Sequence, residues 1–313
     1  MSEPIKVLIA DEMSKKAVDL LVGAGFQVDV KTGMKPEELA AVIGQYHGVG
    51  VRSASKIKAD TLANPGKLKI IGRAGVGVDN IDVKAATEKG ILVINTPQGN
   101  AAAAAELAIG LMFALARKIP QAAASMKQGI WEKKKYMGTE IAGKTLGVIG
   151  LGNIGRQAAE RAVGLKMNVI GYDPHPPKEL PAGVKQVSLD EIISKSDFIT
   201  LHVPLTNDTK GLFGAATFAK MKKGACLINC ARGGIVDENA VIDALKSGQL
   251  GGAALDVFAK EPPDPSPLFA EENLIAVPHL GASTKEAQEK VAIELAEVFV
   301  GFLKDGVVRN AVK

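Results

Sequence analysis

The stretch Thr145-Leu-Gly-Val-Ile-Gly150-Leu-Gly152-Asn-Ile-Gly155 decides the fold. Its first half is a short apolar run of strand character, and its second half opens a helical pattern. Three glycines stand at the join in G-x-G-x-x-G spacing. Gly150 suits a tight turn, Gly152 lets backbone approach a pyrophosphate, and Gly155 lets helix and strand pack closely. The start of the following helix offers free N–H groups and partial positive charge to phosphates. Glycine-rich turns are common, so the context carries the argument. Val169-Ile-Gly-Tyr-Asp173 reads as the next strand and ends in an acid 18 residues beyond Gly155. A carboxylate there accepts hydrogen bonds from an adenosine ribose. It also repels the extra phosphate of NADP, and no arginine follows it, so NAD is the expected dinucleotide.

Outward from this loop, strand-like runs alternate with helical patterns in both directions. After it, strands fit 167–172, 198–203, 225–230, 252–257 and 274–277. Before it, they fit 5–10, 26–30, 48–51, 68–71 and 91–94. Helical patterns cover 36–45 and 82–89 between them. A long helix starts at Ala101 with Asn100 as its expected N-cap, and a last one over 284–303 has Val291, Leu295, Val298 and Phe302 at helical spacing. Such alternation predicts an α/β chain of two Rossmann-like domains, each with a parallel sheet covered on both faces.

Composition agrees with a globular chain. Of 313 residues, 47% are hydrophobic and 23% charged, ordinary for a water-soluble protein and long enough for two cores. A net charge of +4 gives no field that implies nucleic acid. The apolar segment from Ala101 to Ala116 is interrupted by Glu106 and shorter than the ~20 residues of a spanning helix, so no membrane partner is expected. The only two cysteines, Cys226 and Cys230, would lie about 13 Å apart on one strand, too far to pair. With no secretory pattern at the start, they point to a reducing cytoplasm.

Three polar residues fall at the C-terminal ends of successive expected strands, where parallel sheets present their ligands. They are Arg232 in Asn229-Cys-Ala-Arg-Gly-Gly-Ile-Val-Asp237, Glu261 in Ala254-Leu-Asp-Val-Phe-Ala-Lys-Glu-Pro262, and His279 in Val277-Pro-His-Leu-Gly-Ala282. Singly, each has a bland reading as a surface or packing residue. Together they make sense for hydride removal from a secondary alcohol. Histidine can take the hydroxyl proton, a carboxylate on its other nitrogen can orient the ring, and a guanidinium can grip a substrate carboxylate. No Cys/His cluster has metal-ligand spacing, and hydride transfer to nicotinamide requires no metal.

The segments 150–155, 229–237, 253–262 and 278–284 resemble the D-isomer-specific 2-hydroxyacid dehydrogenases. Val51-Arg-Ser-Ala54, Gly72-Arg-Ala-Gly-Val-Gly-Val-Asp-Asn80, Asn95-Thr-Pro97, Trp131-Glu-Lys-Lys-Lys-Tyr136 and His279-Leu-Gly-Ala-Ser-Thr-Lys285 are similar to the branch acting on a phosphorylated 2-hydroxy acid. The resemblance implies oxidation of 3-phosphoglycerate, with His279 as acid/base, Glu261 its partner and Arg232 the substrate anchor. It implies cofactor contacts at Gly150, Gly152, Asn153, Ile154, Gly155, Asp173, Val76, Val203, Pro204, Cys230, Ala231, Arg232, Asp256, His279, Gly281 and Ala282. It implies substrate contacts at Arg52, Ser53, Gly75, Arg232 and His279, and at Lys133 reached from a neighbouring subunit. On spacing alone, Lys133-Lys-Lys135 reads as a solvated charge run. Val76 departs from a pattern that often has threonine there. His202, beside Val203-Pro204, reads as packing or as support behind the cofactor; His175 sits in a proline-rich turn and His47 carries no assignment.

The resemblance further implies a discontinuous substrate-binding domain, residues 1–97 and 285–313, around a continuous NAD-binding domain, residues 98–284, with ligands in a cleft between them. It implies a homodimer or dimer of dimers built through the nucleotide domain, with the long helix at Ala101 as part of that surface. Two other functions use the same machinery: reduction of glyoxylate or hydroxypyruvate, and NAD sensing by corepressor-like proteins of this fold.

Overall fold

The computed structural model describes residues 3–312. It divides into two compact units, Met1–Ala101 with Ala282–Lys313, and Ala102–Gly281.

The first unit runs β1 (Lys6–Ile9), α1 (Lys15–Gly23), β2 (Gln27–Val30), α2 (Pro36–Val42), β3 (Gly48–Val51), β4 (Ile70–Arg73), α3 (Val83–Glu88) and β5 (Leu92–Asn95). The second contains α4 (Ala101–Arg117), α5 (Ile119–Lys127), β6 (Thr145–Ile149), α6 (Asn153–Gly164), β7 (Asn168–Tyr172), β8 (Val184–Gln186), α7 (Leu189–Lys195), β9 (Phe198–Leu201), α8 (Ala215–Lys220), β10 (Ala225–Asn229), α9 (Glu238–Lys246), β11 (Leu250–Leu255) and β12 (Leu274–Ala276). The chain then returns to the first unit as α10 (Lys285–Asp305).

All strands pair in parallel, in the orders β2-β1-β3-β4-β5 and β12-β11-β10-β9-β6-β7-β8. The central strands of each sheet contribute to a core on either face, since successive side chains point to opposite faces. In the first unit, Leu8, Val49, Val51 and Ile71 join one core while Val7, Ile9, Ile70 and Ile94 join the other. Val291, Leu295 and Phe299 of α10 pack into the second of these, beside Ala17 and Leu21 of α1. In the second unit, Ile149, Ile199, Leu227 and Leu255 face one core, and Val148, Phe198, Ile228 and Ala254 the other.

Three local expectations change. The helix expected over 36–45 ends at Val42 and tightens into a 3₁₀ turn, Ile43–Gln45. Asn100 does precede α4, but its buried Oδ1 accepts no hydrogen bond among the described residues, so it is not a side-chain cap. The short edge strand β8 lies in a segment the alternation did not mark.

Candidate active site

Both sheets reverse their winding once, and in an open α/β sheet the ligand crevice lies at the C-terminal strand ends beside that reversal. In the second unit the reversal falls between β6 and β9. Gly150 leaves β6 at φ +91, donates its N–H to Tyr172 O at 2.8 Å, and faces the carbonyl of His202, which a Cβ would meet at 2.5 Å. A Cβ on Gly155 would sit 1.8 Å from Gly150 O. The third glycine therefore lets the helix press on the loop's own first carbonyl. Leu151 N–H donates to Asp173 Oδ2 at 2.7 Å, and Asp173 Oδ1 accepts from His175 N–H at 2.8 Å. The acid at the end of β7 thus braces the loop and keeps one lone pair on each oxygen for a further donor.

Gly152 differs. Its φ of −69 suits any residue, and a Cβ there would meet nothing within 4 Å. None of the described residues requires glycine at this position, whereas a close-lying ligand would. Among the described residues no side-chain hydrogen bond caps α6, and the start of this helix, at Asn153 and Ile154, carries the partial positive charge that favours an anion. These features fit the pyrophosphate of a dinucleotide.

Behind the loop, His202 follows β9, its Nε2 3.0 Å from Thr200 Oγ1 and its buried Nδ1 without a partner among the described residues. Burial pulls its pKa down to about 4. Val203 and Pro204 come next and leave the sheet. Cys230 and Ala231 are buried after β10; burial, with the Asp256 charge, pushes the Cys230 thiol far up, so this sulfur is no nucleophile.

Strands β10, β11 and β12 are neighbours, and Arg232, Glu261 and His279 follow them in turn. Asn229, at the end of β10, shapes the first of these loops: its Oδ1 accepts Ala231 N–H and its Nδ2 donates to Arg232 O, both at 3.0 Å. Arg232 Nη1 donates to Ala231 O at 2.6 Å. A Cβ on Gly233 would lie 1.8 Å from Phe258 O, so this glycine lets the Arg232 loop press against the one leading to Glu261.

Asp256, completely buried at the end of β11, organises the third loop. Its carbonyl accepts His279 N–H at 2.9 Å, Oδ1 accepts Leu280 N–H at 2.5 Å, and Oδ2 accepts Gly281 N–H at 2.9 Å. Burial raises its pKa, against the pull of those two N–H groups. The resemblance implies a cofactor contact at Asp256, whose carboxylate shapes the histidine loop. His279 itself sits at φ +53, a region costly for non-glycine residues and found at functional turns. Its Nδ1 is 2.6 Å from Glu261 Oε2, while Glu261 Oε1 accepts Phe258 N–H at 3.1 Å. A carboxylate only accepts, so Nδ1 carries a proton in this pair, and Nε2 is the nitrogen not engaged by Glu261. The side chain is 47% exposed.

Arg52, Ser53, Gly75 and Val76 belong to the first unit. Arg52 is half-buried directly after β3, with Nη1 3.3 Å from Glu12 O, and Ser53 is exposed. Gly75 N–H donates to Thr96 Oγ1 at 2.7 Å, and Val76 O accepts from Asn95 Nδ2 at 2.5 Å. Ala282 begins that unit's return segment. Lys133 is exposed in the turn after α5, among side chains that include Trp131 at 77% and Met137 at 78% exposure. Two residues escaped sequence reasoning, Asp11 after β1 and Asn80 before α3; an acid directly behind the apolar run ending at Ala10 was the available signal.

The model of the D-isomer specific 2-hydroxyacid dehydrogenase NAD binding domain matches residues 109–281. The chain belongs to this family. The chain is 51% identical over 311 residues to D-3-phosphoglycerate dehydrogenase of Archaeoglobus fulgidus, covering 98% of this chain and 59% of that one. It is 53% identical over 301 residues to the Homo sapiens enzyme of the same name, covering 96% and 56%. The chain thus spans less than two thirds of the length of these curated relatives. A glyoxylate reductase structure from Paecilomyes thermophila superposes with a TM-score of 0.91 at 30% identity, covering 100% of this chain and 99% of that one.

Proposed function

We propose that this dehydrogenase oxidises D-3-phosphoglycerate to 3-phosphohydroxypyruvate, the first step of L-serine biosynthesis. The observation that carries the reading is the His279–Glu261 pair at 2.6 Å, with Nε2 left free to act. Bound NAD supplies the hydride acceptor for the carbinol carbon. His279 Nε2 takes the hydroxyl proton, and Glu261 holds the ring and offsets the charge it acquires. The Arg232 guanidinium grips the substrate carboxylate. Arg52, Ser53 and Gly75 are further substrate contacts, and Lys133 approaches the phosphate from a second copy. Gly150, Gly152, Asn153, Ile154, Gly155, Asp173, Val76, Val203, Pro204, Cys230, Ala231, Arg232, Asp256, His279, Gly281 and Ala282 line the dinucleotide. The identity of about half the residues with proteins named D-3-phosphoglycerate dehydrogenase supports the choice of alcohol.

The likeness to a glyoxylate reductase favours a second reading, reduction of glyoxylate or hydroxypyruvate. The exposed Ile119, Met126, Ile130, Trp131 and Met137 support a homodimer through the segment 119–137. The free cysteines support a cytoplasmic location.

The His279 role is tested by His279→Gln, which keeps a polar side chain and removes the base. We expect kcat to fall on the order of 10²–10⁴-fold, with NAD affinity unchanged by calorimetric titration. Turnover within a few-fold of the parent would overturn the assignment.

A further inference from the structure

We infer that Asp11 and Asn80 are positioning residues that clamp the Arg52–Ser55 loop into one shape and so set substrate affinity. The inference rests on the reading above that Arg52 and Ser53 meet the substrate.

The first sheet also reverses its winding, between β1 and β3. Asp11 stands just beyond β1 and Arg52 just beyond β3, so both lie at the C-terminal ends that flank the reversal, where such sheets bind ligands. The loop between Arg52 and Ser55 is held at both ends and on both kinds of backbone group. Asp11 accepts the N–H of Arg52 at 2.6 Å, the N–H of Ser55 at 3.1 Å and the hydroxyl of Ser55 at 2.6 Å. Asn80 Nδ2 donates to the carbonyls of the same two residues, Arg52 at 2.8 Å and Ser55 at 2.7 Å. A carboxylate takes the donors and a carboxamide takes the acceptors; neither side chain could serve in the other's place.

Asn80 is itself fixed to the segment beyond the loop. Its carbonyl accepts Ile57 N–H at 2.9 Å, Asp82 N–H donates to Ile57 O at 2.8 Å, and Ile57 and Ile81 form a parallel bridge. It ends the stretch that carries Gly75 and Val76, so one residue ties two substrate loops together. Asp11 is 4% exposed. Burying a carboxylate carries a desolvation cost unless its hydrogen bonds are made, and here they are made to one loop. At the tip, Ser53 and Ala54 remain exposed, and their N–H groups have no partner among the described residues. A tip frozen before binding saves the ordering entropy that a mobile loop loses on binding.

The test compares Asn80→Ala, Asn80→Asp and Arg52→Ala in the whole chain. It reads kcat and KM for D-3-phosphoglycerate, the Kd for NAD, and amide hydrogen exchange along residues 50–60. Asn80→Ala should raise KM about tenfold with kcat within about twofold, as expected for lost preorganisation. NAD affinity should not move, and exchange should quicken at Arg52 and Ser55. Asn80→Asp should be worse, since a carboxylate would face two carbonyls. Arg52→Ala should also raise KM, and adding Asn80→Ala to it should cost less than it does alone. Should Asn80→Ala not fold, Ser55→Ala removes one bond to Asp11 and should show the same pattern, smaller.

Unchanged exchange in Asn80→Ala overturns the clamp. So does faster exchange with unchanged KM while Arg52→Ala raises KM, because the substrate reading then stands and the positioning role does not. An equal loss of kcat, NAD affinity and melting temperature also overturns it, leaving a purely structural residue. If Arg52→Ala leaves KM unchanged, the substrate reading of the loop itself has failed.

Discussion

Two histidines at strand ends of the second unit have very different surroundings. His279, 47% exposed, pairs its Nδ1 with Glu261, whereas burial of His202 pulls its pKa down to about 4. The unfolded chain protonates His202 near 6.5 while the folded chain resists until about 4, so folding is weakened as pH falls through that window. Between pH 7 and pH 5 the loss from this residue is about 2 kcal/mol. Urea unfolding at the two pH values should show it, and His202→Asn should flatten the difference; an equal drop in both proteins contradicts the buried neutral ring. His202 also shows where sequence reading stops, since spacing places it behind Val203 but cannot show its desolvation. Asp173 was legible as a strand-end acid, while its bond to Leu151 N–H was not, because that depends on how the loop folds back.

The glycine loop separates structural from ligand-driven glycines. A Cβ on Gly155 would sit 1.8 Å from Gly150 O, whereas one on Gly152 would meet open space. Gly155→Ala should therefore destabilise by several kcal/mol or fail to fold, as overpacking against backbone does. Gly152→Ala should fold with an unchanged melting temperature and bind NAD at least about tenfold more weakly. Normal NAD binding in folded Gly152→Ala would contradict the fit. Most strands here were legible because buried parallel strands read as short β-branched runs. The exception, β8, is an exposed edge of three residues, Val-Lys-Gln, with no apolar pattern to detect. Asn100 misled for a related reason: cap preference is a local average, and here its Oδ1 accepts no hydrogen bond among the described residues.

At the scale of the whole chain, two α/β units were legible from the alternation alone. That α10 returns to the first unit was not, because Val291, Leu295 and Phe299 pack against residues some 270 positions earlier, such as Leu21. No local spacing encodes that return; only the family resemblance implied it. The proposed dimer follows from five large apolar side chains exposed within residues 119–137. Light scattering should give twice the chain mass, and Trp131→Glu should shift it towards the monomer; a monomeric parent protein contradicts this surface. The central claim concerns the alcohol. Steady-state kcat/KM with NAD, measured for D-3-phosphoglycerate and for D-glycerate, tests it most directly. The expected preference is at least about 10²-fold for the phosphorylated acid, the size that charge-assisted contacts to a phosphate give. Equal values for the two acids would contradict it.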